Sequence, residues 1–277
     1  MLWAMTLTQA ILPVAGLGTR FLPWTKVVPK ELLPIGNQPM IALLVDACLS
    51  VGIDDICFVI SHGKEQIPQY FYANPTLDAE LAARGKTDAL AQLQKYNNVN
   101  FHVVYQEQQL GDGHAILQAA DWVKSENIAV LFGDDLIVWK ENGLQQLTKA
   151  FDSAVSNRDK AMLCFENVAR ERVSKYGIAA IDETLSNGRL KKVTGLVEKP
   201  KPEDAPSTLG IVGHYIIPKS TFEILPTVKH GQGGEIRLID ALIAQLGTID
   251  IFGYEVEGKR VDTGTPEGYK EAVNLLA

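Results

Sequence analysis

Ala10-Ile-Leu-Pro-Val14 runs straight into Ala15-Gly16-Leu17-Gly18-Thr19-Arg20, and the rest of the chain is read outward from this junction. The apolar run is short and stops at a glycine-rich turn signal, the pattern of a buried strand feeding a loop. In a dinucleotide fingerprint a third glycine would stand where Phe21 stands, and a Walker A loop would continue into Gly-Lys-Ser or Gly-Lys-Thr. Neither pattern is met. Glycines after a strand still let backbone N–H groups approach a phosphate closely, because no Cβ blocks the way. Arg20, and Lys30 in Pro29-Lys30-Glu31, would then neutralise a triphosphate, Arg by a bidentate contact and Lys as a point charge. A glycine turn flanked by two solvated basic residues is the plain alternative.

The same alternation continues downstream. Pro39 suits the first turn of a helix that runs to Val51 and closes at Gly52. Ile56–Ile60 and Phe101–Tyr105 read as strands, Gly113 to Lys124 as a helix, and Ile128–Phe132 as the next strand, with an Ala-rich helical insertion from Leu77 to Tyr96. Strands alternating with helices predict an α/β fold with a Rossmann-like, mixed but mainly parallel central sheet flanked by helices. The second half is more mixed. Strands are expected at Ala161–Phe165, Ile178–Ile181, Thr194–Val197 and Ile211–Ile217, then a helix from Glu235 to Leu246 and a final strand from Ile249 to Val256. No repeat or linker interrupts the chain, and Pro200 to Pro206 reads as a loop. We expect one domain over residues 1–277, with an N-terminal part of about residues 8–140 and a C-terminal part of about residues 160–270.

Composition narrows the function classes. With 46% hydrophobic residues the chain can bury a substantial core, and a formal charge of −7 argues against a general nucleic-acid surface. The three cysteines, Cys48, Cys57 and Cys164, are scattered in apolar runs and read as reduced core residues, which fits the cytoplasm. The first residues lack a basic n-region, so no signal peptide is expected, and Met5 is a candidate start. No unbroken apolar run reaches the roughly 18 residues that a membrane span needs.

Ligands of open parallel sheets bind beyond the carboxyl ends of the strands. Four strands here end in suggestive residues: Gly16-Leu-Gly18, His62-Gly63, Gln106 to Gly113, and Gly133-Asp134-Asp135. A carboxylate such as Asp134 at a strand end suits Mg²⁺, which takes one or two carboxylates together with phosphate oxygens; helix capping by the same residues is the alternative. In Glu198-Lys199-Pro200, Lys199 would hold a second phosphate and Glu198 would accept bonds from sugar hydroxyls, unless the pair is an exposed charged turn. Asp262, in Val261-Asp-Thr-Gly-Thr265, is a candidate second metal ligand or simply a turn residue. The five histidines (His62, His102, His114, His214 and His230) form no zinc spacing, His102 reads as structural, and no Ser/His/Asp or Cys/His relay is recoverable.

Leu12-Pro-Val-Ala-Gly-Leu-Gly-Thr-Arg20, Pro29-Lys-Glu-Leu-Leu-Pro34, Leu110-Gly-Asp-Gly-His-Ala115, Leu131-Phe-Gly-Asp-Asp-Leu-Ile137, Tyr176-Gly177, Val197-Glu-Lys-Pro200, Ile211-Val-Gly213, Gly233-Gly-Glu-Ile236 and Glu257-Gly-Lys-Arg260 follow one another in order. Together these blocks resemble the sugar-nucleotide pyrophosphorylases, most closely their bacterial uridylyltransferase branch, from Ala10 to about Ala272. The resemblance implies a nucleotide-diphospho-sugar transferase fold and a Mg²⁺-assisted reaction of UTP with glucose 1-phosphate. It implies that Ala15, Gly16, Gln106 and Gly111 hold the uracil and ribose side, with Glu31 and Asp135 near the nucleotide. Arg20 and Lys30 would meet the triphosphate, Gly177 and Glu198 the glucose hydroxyls, and Lys199 the sugar phosphate. Asp134 would bind Mg²⁺, with Asp262 as the second carboxylate. A homodimer or homotetramer is implied as well, with no nucleic-acid or membrane partner. Three departures stand out: Asp112 replaces a usually apolar residue, Thr208-Leu-Gly210 an Asn-Leu-Ala pattern, and Val261-Asp-Thr-Gly-Thr265 has the thymidylyl form. The rival readings are therefore a pyrophosphorylase for dTTP or another sugar phosphate, a non-catalytic nucleotide-sugar-binding regulator, and a glycosyltransferase.

Overall fold

The computed structural model describes residues 7–228 and 234–276, so the candidate start at Met5, His230 and Gly233 lie outside it. Its strands, in chain order, are β1 (Gln9–Pro13), β2 (Pro34–Ile35), β3 (Gln38–Pro39), β4 (Asp55–Ile60), β5 (Asn100–Tyr105), β6 (Asn127–Leu131) and β7 (Asp135–Val138). They continue with β8 (Lys160–Asn167), β9 (Gly177–Asn187), β10 (Leu190–Glu198), β11 (Leu209–Pro218), β12 (Asp250–Glu255) and β13 (Lys259–Asp262).

Nine of them form one sheet in the order β5-β4-β1-β6-β11-β8-β12-β10-β9. From β5 to β6 every neighbour is parallel. Beyond β6 the ladders turn antiparallel, through β6–β11, β11–β8, β12–β10 and β10–β9, with β8–β12 the parallel exception. The mixed α/β sheet matches the expectation, with its parallel part gathered on the N-terminal side.

Period-two alternation puts β1 into both layers of the core: Ala10, Leu12 and Val14 pack on one face and Ile11 on the other. Helices Met40–Leu49 and Gly143–Ser153 cover the first face. Asp112–Leu117 and Leu238–Ala244 cover the second. The whole of β6 is buried, as a strand covered on both faces must be. Phe58 on β4 is fully buried, and truncating it to Ala would cost about 3–5 kcal/mol.

Several elements differ from the sequence reading. The Ala-rich insertion is two helices, Pro75–Ala83 and Thr87–Gln94, because Gly85 takes a φ of 65° between them. The helix expected from Gly113 to Lys124 stops at Leu117. The chain then tightens into three-residue turns, with Ala119 N bonding Ile116 O and Ala120 N bonding Leu117 O. The strand at Ile249–Val256 is not the last: β13 follows it, pairs antiparallel with β7, and leads into helix Pro266–Leu276. Alternation in Lys259-Arg-Val-Asp262, with Val261 as its one buried residue, was the available signal for β13. Among the described residues no helix is long and apolar enough to cross a membrane.

Candidate active site

The carboxyl ends of β1, β5 and β6 open onto a cavity of about 310 Å³, lined by Ala15, Gly16, Lys30, Gln106 and Gly111 and walled by Glu31. Each of these loops leaves a parallel strand in the same direction, so residues far apart in sequence meet at one edge. Gln106, buried at the end of β5, donates through Nε2 to Gly111 O at 3.0 Å and lies 3.1 Å from His114 Nδ1. Gly111 has a φ of 101°, and a Cβ there would sit 2.5 Å from Ile236 O, so only glycine fits the turn. Gln109 Nε2 reaches Ala15 O at 3.4 Å, tying this loop to the first one.

A second cavity of about 1020 Å³ lies beside the first and includes Arg20, Tyr176, Gly177, Glu198, Lys199 and Arg260 in its lining. Here antiparallel pairing brings residues together. Gly177 and Glu198 are register partners on β9 and β10. A Cβ on Gly177 would come within 3.3 Å of Glu198 Oε2, so the missing side chain keeps that carboxylate open to the cavity. Glu198 Oε1 lies 3.2 Å from Lys199 Nζ and 3.6 Å from Arg237 Nη1. Lys199 holds a φ of 47°, the left-handed region that a non-glycine residue rarely adopts, and its N–H donates to Tyr176 O at 2.9 Å. Strain of this kind persists where surrounding structure enforces it, and it gathers at functional sites.

Asp112, Phe132 and Asp134 line both cavities, so the two join at these residues. Asp134, just past β6, accepts from Lys30 Nζ at 2.7 Å. Burial pushes its carboxyl up, but Lys30, joined by Arg260 and a backbone hydrogen bond, holds it below the usual carboxylate range. Lys30 mirrors this: burial lowers its pKa, and Asp134 together with Glu31 brings the net above the usual lysine value. The β7–β13 ribbon pairs Asp262 with Asp135, and Thr263 N and Oγ1 both donate to Asp134 O, at 2.8 and 2.9 Å. Two carboxylates 128 positions apart by number (262 less 134) thus face one spot. A Cβ added to Gly264 would lie 2.7 Å from Asp134 Oδ2 and 3.0 Å from Asp262 Oδ1. That glycine-lined gap between hard oxygen donors fits a Mg²⁺ ion completed by phosphate oxygens. Asp262 also accepts from Gly264 N at 3.0 Å, so it shapes its own turn as well.

Three further anticipated residues border the cavities, and each also has protein partners of its own. Arg20 is exposed, lines the larger cavity and reaches Gly264 O at 3.4 Å. Glu31 is 1% exposed and turns both carboxylate oxygens to Lys64. Asp135 is buried, accepts from Arg260 Nε at 2.5 Å and from Gly213 N at 2.9 Å, and so braces the ribbon. Burial pushes the Asp135 carboxyl up to about 6 against the opposing pull of Arg260. Asp112 accepts from Leu238 N at 2.9 Å, which explains its polar character at the start of a helix.

Sequence reading gave no role to Arg260, Tyr176 or Lys64. Arg260 Nη1 donates to Tyr176 Oη at 3.2 Å and lies 3.4 Å from Glu166 Oε2, and Arg172 Nη2 donates to the same Tyr176 Oη at 3.0 Å. Tyr176 and Arg260 stood within blocks of the resemblance without a role of their own, and Lys64 was marked only by following His62-Gly63. His102 lies 3.3 Å from Asp55 Oδ1 on the outer strands, away from both cavities.

The family model for nucleotidyl transferases matches residues 9–277. The chain is 39% identical over 263 residues to UTP–glucose-1-phosphate uridylyltransferase of Bacillus subtilis strain 168, covering 94% of this chain and 88% of the relative. It superposes on the crystal structure of a UDP-glucose pyrophosphorylase complexed with UDP-glucose at a TM-score of 0.85, with 35% identity and 97% of each chain covered. UTP-bound UGPase from Acinetobacter baumannii matches at a TM-score of 0.87 and 33% identity, over 97% of this chain and 92% of that one.

Proposed function

The chain belongs to the nucleotidyl transferase family, and from that premise we propose that its joined cavities convert UTP and glucose 1-phosphate into UDP-glucose and pyrophosphate. The observation that carries this reading is Asp134, placed with its partner Lys30 where the smaller and larger cavities meet. A reaction between two phosphorylated substrates needs such a shared point.

Ala15, Gly16, Gln106 and Gly111 hold the uracil and ribose in the smaller cavity, with Glu31 in its wall and Asp135 close by in the lining of the larger cavity. Gly177 and Glu198 meet the glucose hydroxyls, and Lys199 holds the sugar phosphate. An oxygen of that phosphate attacks the α-phosphorus in line. The bond from the α-phosphorus to the bridging oxygen breaks, and pyrophosphate leaves. The nucleophile is already ionised, so no enzyme base is required. Lys30, and Arg20 from the side of the larger cavity, stabilise charge on the transferring group and the departing pyrophosphate. Asp134 and Asp262 are the residues that would hold Mg²⁺, which supplies charge neutralisation between the two anions.

Assembly as a homodimer or homotetramer belongs to the same reading. It is supported by exposed Leu17, Leu22, Trp24 and Val27 within one stretch of chain. Three buried, unpaired cysteines support a reducing compartment such as the cytoplasm.

The test is pyrophosphate release across a panel of nucleoside triphosphates and sugar 1-phosphates. With glucose 1-phosphate, kcat/KM for UTP should exceed that for dTTP by about tenfold or more. Equal use of dTTP would remove the uridylyl assignment, and silence across the whole panel would remove the transferase.

A further inference from the structure

In the wall of the smaller cavity, which Glu31 helps to line, sits a buried ion pair. Lys64 Nζ donates to Val14 O at 2.6 Å and lies 3.1 and 2.9 Å from the two carboxylate oxygens of Glu31. Its side chain is 9% exposed and that of Glu31 is 1% exposed. The three donors of the ammonium are thereby all used, so Lys64 has none left to offer a ligand. The pair joins three segments that are remote in sequence: the end of β1, the turn carrying Lys30 and Glu31, and the loop after β4. Packing is close here as well, since a Cβ on Gly133 would lie 2.7 Å from Val14 Cγ1 and 3.4 Å from Glu31 Cγ.

Glu31 is the immediate neighbour of Lys30, and its charge already contributes to raising the Lys30 pKa, after the larger effect of Asp134. A buried carboxylate stripped of its partner is strongly unfavourable and captures whatever cation lies within reach. With Lys64 gone, that cation is Lys30, whose ammonium now faces Asp134 at 2.7 Å.

We propose that Lys64 is a positioning residue that neutralises Glu31 inside the wall of the nucleotide pocket and so leaves Lys30 free to face Asp134 and the triphosphate. The inference rests on the proposed uridylyl transfer, and it adds that the basic residue behind the pocket controls the basic residue within it.

Two variants test it, Lys64→Met and the double variant Lys64→Met/Glu31→Gln, by calorimetric UTP binding, steady-state kinetics with both substrates, and melting. Lys64→Met should weaken UTP binding about tenfold or more while the KM for glucose 1-phosphate stays within about twofold. The double variant, which removes the charge that would compete for Lys30, should recover UTP affinity to within about threefold of wild type. A mere packing role would show no such rescue. Wild-type affinity in Lys64→Met overturns the inference, and so does a double variant that melts like wild type but binds UTP as weakly as the single. Should Lys64→Met fail to fold, the double variant alone decides, with affinity within about threefold supporting the inference and a tenfold loss overturning it. A wild-type chain that binds no UTP removes the uridylyl reading itself, a result distinct from a wild type that binds and a Lys64 variant that binds equally well.

Discussion

On the nucleotide side, the side chains that matter sit in loops leaving parallel strands; on the sugar side, they sit opposite one another on antiparallel ladders. Ala15, Lys30, Gln106 and Gly111 each follow a strand or lie in the segment after it, and each reaches the smaller cavity from its own loop. Gly177 and Glu198 instead meet because they are register partners, and Asp262 meets Asp135 in the same way. A loop places a backbone amide or a single side chain and can vary alone. A ladder fixes two residues at once, and a slip by one residue would turn both to the wrong face. The nucleotide pocket should therefore yield to single substitutions one by one, whereas the sugar and metal positions should behave as coupled pairs.

The sharpest way to break that comparison lies at Asp134 and Asp262, one from each kind of placement. Asp134→Asn should lower kcat by about 100- to 1000-fold and raise the Mg²⁺ concentration needed for half-maximal rate. Asp262→Asn should act in the same direction by a smaller factor. Because both carboxylates face the gap at Gly264, the double variant should be less impaired than the product of the singles. A metal-titrated rate assay with a melting curve decides it. If Asp262→Asn only lowers Tm and leaves the Mg²⁺ dependence alone, Asp262 serves its turn through Gly264 N and the ribbon delivers no second ligand.

The two modes of placement also explain what could be read from the sequence. Strand–glycine–basic order is local, so Gly16, Arg20, Lys30 and Asp134 could be singled out from short stretches, and the α/β alternation that sets the sheet was visible with them. The β7–β13 ribbon could not be read in that way, because its register depends on residues 135–138 meeting residues 259–262 across the whole second half of the chain. Arg260 accordingly drew no role from the sequence, although it is 10% exposed and bonded to Asp135. Glu31 was legible as a motif member but not as one half of a buried pair, since Lys64 lies in another loop and a single lysine carries no local signal.

Glu198→Gln offers a smaller effect confined to the ladder side. The amide keeps the shape but replaces a charged acceptor by a neutral one, weakening its bonds to sugar hydroxyls. The KM for glucose 1-phosphate should rise by about tenfold and discrimination against its epimers should change, while calorimetry shows UTP affinity nearly constant. Loss of UTP affinity with sugar selection intact would put Glu198 on the other substrate, and the division of the two cavities would need redrawing.

The smallest effect concerns the seam where the parallel and antiparallel parts of the sheet join. His214 lies on β11, opposite Leu131 of β6, and is 2% exposed. Its Nε2 is 3.1 Å from the backbone oxygen of Asp135, an acceptor only, so Nε2 carries the proton. Nδ1 has no partner among the described residues. Protonating it would create a buried cation with an unpaired donor, near the Arg260 guanidinium, and burial accordingly lowers the pKa of His214 to about 4. The unfolded chain, with His near 6.5, then binds more protons than the folded one between about pH 4 and 6.5. The contribution of His214 to stability is therefore fully present above about pH 6.5 and is lost progressively as pH falls toward about 4, on the order of 3 kcal/mol in all. Asp135, raised to about 6, works in the opposite sense over much of the same range, because its folded form takes up a proton before the unfolded one does. The wild-type pH profile thus mixes both groups, and a second chain is needed to separate them. His214→Gln keeps an amide donor for the Asp135 carbonyl and cannot titrate. Denaturant unfolding at pH 7 and at about pH 4 should show the wild type losing on the order of 3 kcal/mol relative to His214→Gln across that interval. Parallel profiles for the two chains would mean that His214 finds an acceptor for its second nitrogen in solution, and that the seam tolerates charge where the packing around it argues it does not.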